Sequence, residues 1–87
     1  MNAPHAKLQL AQGTPKIAFG LVLRQLREHS GDSQDSFAHR TGYHRNYVGQ
    51  LERGKKSPSL SALFSLSKAL GIRPSQLLER VEKRLGF

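Results

Sequence analysis

An all-α domain of five helices is the fold this sequence predicts, and three observations carry it. Apolar residues recur at helical spacing in five separate windows, and the first four windows end at a glycine or a Ser-Gly pair. Residues that cap helix N-termini stand ahead of these windows, among them Thr14, Ser33 and Ser59. No segment alternates apolar and polar residues well enough to displace a helix. With 87 residues and no cysteine, the chain has room for one core, held by packing alone.

Thr14 and Pro15 open the first helix as N-cap and first helical residue, where the missing N–H of proline removes a donor that is unpaired in any helix. Phe19, Val22, Leu23 and Leu26 share one face, with Arg24, Gln25, Arg27 and Glu28 elsewhere; the helix stops near Ser30 and Gly31. Ser33 caps the second helix. Asp35 suits its positive end, Phe37 and Ala38 turn inward, and Thr41 and Gly42 end it, with Tyr43 as an apolar plug. A third helix runs from about Arg45 to Arg53 behind a weak cap, His44; Tyr47, Val48 and Leu51 face in, and Gly54 stops it. Lys55, Lys56, Ser57 and Pro58 form a basic loop, and Ser59 caps a fourth helix ending at Gly71. Residues 59–67 partly alternate as a strand does, but Leu60, Leu63, Phe64, Leu66 and Leu70 fit the helical period over a longer window. A fifth helix starts at Pro74 or Ser75, with Leu77, Leu78, Val81 and Leu85 on one side and Arg80, Lys83 and Arg84 on the other. Three parts follow: a flexible arm over 1–13, a core over 14–73, and a helix over 74–87 that closes the fold and contributes to dimerisation.

Fourteen Lys and Arg against six Asp and Glu give a formal charge of +8, unevenly placed. Residues 31–42 carry Asp32 and Asp35 against Arg40, whereas 43–58 carry Arg45, Arg53, Lys55 and Lys56 against Glu52 alone. Positive charge gathered in one segment meets phosphate, in nucleic acid or at a membrane surface; solubility is the plain alternative. No run approaches the ~20 apolar residues of a membrane span, and the N-terminal stretch lacks the apolar core of a signal peptide, so the expectation is a cytoplasmic protein with no membrane partner.

Two short helices joined by a tight glycine turn, the second followed by a basic loop, suit the DNA major groove. Ala38 is small where the helices cross, Gly42 makes the turn, and Val48 and Leu51 clamp the second helix. Residues 19–78 resemble the Xre or phage-repressor-type helix-turn-helix family, similar to the lambda-type repressors and Cro proteins. The matching string comprises Gly20, Leu23, Arg27, Ser33-Gln34, Phe37-Ala38, Gly42, Tyr47-Val48, Gln50 to Gly54, Pro58 to Leu60, and Lys68 to Ile72. The resemblance implies a five-helix, lambda-repressor-like domain whose third helix enters the major groove.

On that reading Arg45, Asn46, Gly49 and Gln50 form the outward, base-reading face: Arg45 pairs with guanine O6/N7, while Asn46 and Gln50 suit adenine N6/N7. Gly49 is unusual inside a helix, where it costs about 1 kcal/mol relative to alanine, and allows close approach to a base or is simply tolerated. His44, at the helix entry, contacts a phosphate or the first base. Gln34 resembles the family's phosphate-binding glutamine, Arg53, Lys55 and Lys56 flank the groove, and Arg27 pairs with Glu52 while also facing a phosphate. Leu77, Leu78, Val81 and Leu85 extend past the motif as a fold-closing helix or dimer seam, and two half-sites on a palindromic double-stranded DNA operator call for a homodimer.

Other signals are weaker. Residues 49–56 read GQLERGKK, near a phosphate-binding loop, but Lys56 stands where a magnesium-binding hydroxyl is needed. Asp35, Ser36 and His39 crowd one helix without an oxyanion hole, and the histidines at 5, 29, 39 and 44 lack zinc-ligand spacing, so neither enzyme, cofactor nor metal is expected. A transcriptional regulator without an effector domain is the primary reading. The alternatives are an antitoxin, with a toxin as protein partner, and the controller protein of a restriction-modification system.

Overall fold

The structure, a computed structural model, describes residues 14–87; the expected arm over 1–13 lies outside the described residues. Among the described residues five helices follow one another: α1 (Pro15–His29), α2 (Gln34–Thr41), α3 (Arg45–Glu52), α4 (Leu60–Leu70) and α5 (Pro74–Leu85). No strand occurs among the described residues. The capping chemistry is as expected: the Thr14, Ser33 and Ser59 side chains accept from the backbone N–H groups of Ile17, Ser36 and Ala62. His44 precedes α3 without a side-chain cap, and at α5 the Arg73 N–H donates to Gln76 Oε1 at 2.8 Å. Gly42, which closes α2, has a φ of 80°, a conformation that disfavours any residue with a Cβ.

α1 packs on α3 and α5, α2 on α3 and α4, and α4 on α5, around one core. Phe37, Leu23, Leu51, Leu66, Leu77 and Val48 are its largest fully buried apolar side chains, and Ala38 is buried where α2 meets its neighbours. Val48 and Leu51 anchor the inner face of α3, with Tyr47 half-buried and its ring 5.0 Å from that of Tyr43. Arg40 ties α2 to its surroundings, donating to the Ala69 carbonyl at 2.7 Å and pairing with Asp32.

Two sets of apolar residues divide differently from the sequence expectation. On α4 the buried face is Ala62, Leu63, Leu66 and Ser67, the Ser67 hydroxyl being satisfied by the Leu63 carbonyl at 2.7 Å; Leu60 and Phe64 point outward, 73% and 57% exposed. On α5 the expected dimer seam of Leu77, Leu78, Val81 and Leu85 splits. Leu77, Val81 and Leu85 are buried in their own chain's core, because α5 lies against both α1 and α4; Leu78 alone of the four is exposed.

Candidate nucleic-acid interface

The helix-turn-helix is built around a hydrogen-bonded ion pair. Arg27 of α1 and Glu52 at the end of α3 meet through two bonds, Nε to Oε2 at 2.6 Å and Nη2 to Oε1 at 3.0 Å. Arg27 Nη1 donates to the Asp32 carbonyl at 2.8 Å, and Gln34 Nε2, at the start of α2, donates to Glu52 Oε1 at 3.0 Å. One carboxylate thus joins α1, α2 and α3. Both partners are buried, and no buried side-chain nitrogen or oxygen among the described residues lacks a hydrogen-bond partner. The hydrogen bond to Glu52 holds the Arg27 guanidinium above its ordinary pKa, against the opposing effect of burial.

This geometry corrects the expectation that Arg27 faces a phosphate. Its three nitrogens are engaged inside the fold and the residue is 7% exposed, so its part is to fix α1 against α3. Gln34 has a double character: half-buried, it spends one amide N–H on Glu52 and retains another at the first turn of α2, where backbone N–H groups also lie outside the helix's own hydrogen bonding.

With the inner face of α3 held by Val48 and Leu51, Arg45 and Asn46 stand exposed at its front and Gln50 is half-buried. Gly49 departs from expectation. It is buried, because Arg53 folds back over it: a Cβ at this position would lie 3.0 Å from Arg53 Nη1 and 3.8 Å from Gln34 Oε1. The glycine is therefore a seat where the start of α2 and the end of α3 converge. Since the crowding atom ends a flexible side chain, Gly49→Ala is expected to raise stability by up to about 1 kcal/mol in urea unfolding. The same methyl asks the Arg53 guanidinium to shift by a few tenths of an ångström.

His44, Arg53, Lys55 and Lys56 are all exposed around α3. The basic loop is held close, the Lys55 N–H donating to the Gln50 carbonyl at 2.9 Å. Asp35, not singled out as a site residue by the sequence reading, pairs with Arg45 (Nε to Oδ1, 3.4 Å). The two residues stand ten apart across the turn, so only the helix crossing brings them together.

A helix-turn-helix family model matches residues 23–77. The chain belongs to this helix-turn-helix family, and it is a DNA-binding transcriptional regulator. It is 38% identical over 65 residues to the control protein C.BamHI of Bacillus amyloliquefaciens, covering 74% of this chain and 80% of that protein. With the control protein C.MunI of a Mycoplasma species it shares 42% over 69 residues, 78% of this chain and 93% of the relative. Among solved structures, the restriction-modification controller protein C.AhdI from Aeromonas hydrophila superposes with a TM-score of 0.69 at 42% identity, over 71% of this chain and 94% of that one. No helix among the described residues is long and apolar enough to cross a membrane.

Proposed function

We propose that this regulator works as a homodimer on a two-fold symmetric operator, and that it serves as the controller of a restriction-modification system. Arg45 reads guanine, Asn46 and Gln50 read adenine, and Gln34, His44, Arg53, Lys55 and Lys56 hold phosphates on the flanks. The observation that carries this is the exposure of Arg45 and Asn46 at the front of a helix whose other face is locked in the core. The relatives named as control proteins favour the controller reading over a toxin-neutralising one.

Dimerisation follows from half-sites about 34 Å apart, which need two recognition helices related by a two-fold axis. The surface suited to it is the α4–α5 face. Leu60 and Leu78 line one groove of about 320 Å³ with Phe19, Leu63 and Val81, and Phe64 stands one turn beyond Leu60 on α4. Leu78→Asp is expected to leave a folded monomer at tens of micromolar by light scattering, where the parent chain is a dimer.

Selection of bound DNA from a random pool at defined salt tests the whole reading. A palindromic site is expected, and failure of any sequence to enrich overturns it. On the selected site, Arg45→Ala should weaken binding by about 1–3 kcal/mol and relax the preference at one position per half-site. Lys55→Ala should weaken all sequences alike and reduce the magnitude of the salt slope by about 1, from roughly −5 if about six phosphates are neutralised.

A further inference from the structure

We propose that Asp35 is a specificity-determining residue: its carboxylate on α2 orients the Arg45 guanidinium on α3 for guanine and holds down binding to DNA of arbitrary sequence. The inference rests on the proposed reading that Arg45 faces base edges. Arg45 Nε lies 3.4 Å from Asp35 Oδ1, with the two side chains 63% and 78% exposed. Between Gln34 and Glu52, the whole helix-turn-helix, Asp35 is the one exposed carboxylate, since Glu52 is buried against Arg27. Gln34, His44, Arg53, Lys55 and Lys56 otherwise make the surroundings neutral or cationic.

A carboxylate in that position works against phosphate affinity, and an exposed ion pair contributes little to stability. Its effect is chemical. A free arginine side chain samples many rotamers and reaches phosphate oxygens as readily as bases, which adds affinity without sequence information. With Oδ1 beside Nε, the carboxylate attracts the guanidinium from one edge while Nη1 and Nη2 remain as a fork that matches O6 and N7 of guanine. Asp35 also sits in the first turn of α2, where a negative charge suits the helix dipole. That structural role predicts a small change in melting temperature and no change in which base is preferred.

The test is selection and competition binding with the full chain, using Asp35→Asn, Arg45→Ala and the double variant, each checked by thermal melting. The probes are the selected site, the same site with guanine replaced opposite Arg45, and a random-sequence duplex of equal length. Asp35→Asn should bind the random duplex roughly threefold or more tighter at low salt, through the lost repulsion. It should also lower discrimination for guanine at the Arg45 position by about tenfold. In the Arg45→Ala background the same change should leave base preference unaltered. If Arg45→Ala abolishes the guanine preference while Asp35→Asn leaves it intact, the role of Asp35 is overturned and the base-reading assignment stands. If Arg45→Ala alters no base preference, the reading of Arg45 fails and this inference with it.

Discussion

Glu52→Ala is expected to destabilise the protein by about 3–5 kcal/mol, read as a shift of the urea midpoint. For a domain whose total stability is on the order of 5–10 kcal/mol, that brings unfolding near ambient conditions. The magnitude comes from what is left behind. Arg27, 7% exposed in the intact protein, is left with Nε and Nη2 deprived of their acceptors and only Nη1 still bonded, to the Asp32 carbonyl. A buried lysine can escape by losing its proton; a guanidinium does not, and here the Glu52 hydrogen bond raises its pKa further in the intact protein. Gln34 loses its acceptor at the same time, so the start of α2 is released from the end of α3. Glu52→Gln should also be destabilising, because a carboxamide offers one oxygen where two are used and turns an NH2 toward Arg27 or Gln34. The double variant Arg27→Met/Glu52→Leu separates the effects. It removes both charges and keeps apolar volume, and should recover most of the stability, since the net worth of a buried pair is far smaller than the penalty of breaking it. If Glu52→Ala changes the midpoint by less than about 1 kcal/mol, the pair is not the joint described here.

The burial of this pair shows where local pattern ends. Helix boundaries were readable because caps and stops are local: Ser33 and Ser59 accept bonds from residues three positions on, and Gly42 and Gly71 take the left-handed conformation where apolar periodicity breaks. The front of α3 was readable too, since the same periodicity that buries Val48 and Leu51 exposes Arg45 and Asn46. Coverage by a long side chain from the next turn is invisible to that periodicity, and so Gly49 lies beneath Arg53. The Arg27–Glu52 pairing came only from the family resemblance, since the two residues stand 25 apart, and the burial that turns Arg27 away from phosphate was not foreseen. Leu77, Val81 and Leu85 formed a correct apolar stripe on α5, but a stripe does not say whether its partner is the same chain or another copy. The contacts of α5 with α1 and α4 bury three of its residues within the chain, and leave Leu78 on α5 and Leu60 and Phe64 on α4 as outward apolar residues.

Gly20→Ala carries the other large expected effect, and its sign runs against helix propensity. Gly20 lies in the interior of α1, where alanine ordinarily gains about 1 kcal/mol. A Cβ there would stand 2.3 Å from the Leu51 carbonyl oxygen, 2.7 Å from that of Glu52 and 3.0 Å from the Glu52 carbonyl carbon. All three are backbone atoms, so no rotamer relieves the overlap. To restore an ordinary contact, α1 and α3 must separate by about 1 Å, and the separation passes directly into the Arg27–Glu52 bonds that join the same two helices. Overpacking of this kind costs roughly 1–3 kcal/mol, and weakening of the neighbouring pair adds to it, so a net loss of about 2–4 kcal/mol is expected in urea unfolding. On the proposed reading of Arg45, Asn46 and Lys55, DNA affinity measured well below the unfolding midpoint should fall as well, since the shift moves α3 relative to the start of α2. Gly49→Ala provides the internal comparison: both glycines are buried and helical, but the atom crowding Gly49 ends a flexible side chain, so the two alanine variants should move stability in opposite directions. A Gly20→Ala protein as stable as its parent would mean that α1 and α3 do not approach this closely in solution, and the rigid joint inferred beneath the recognition helix would have to be abandoned.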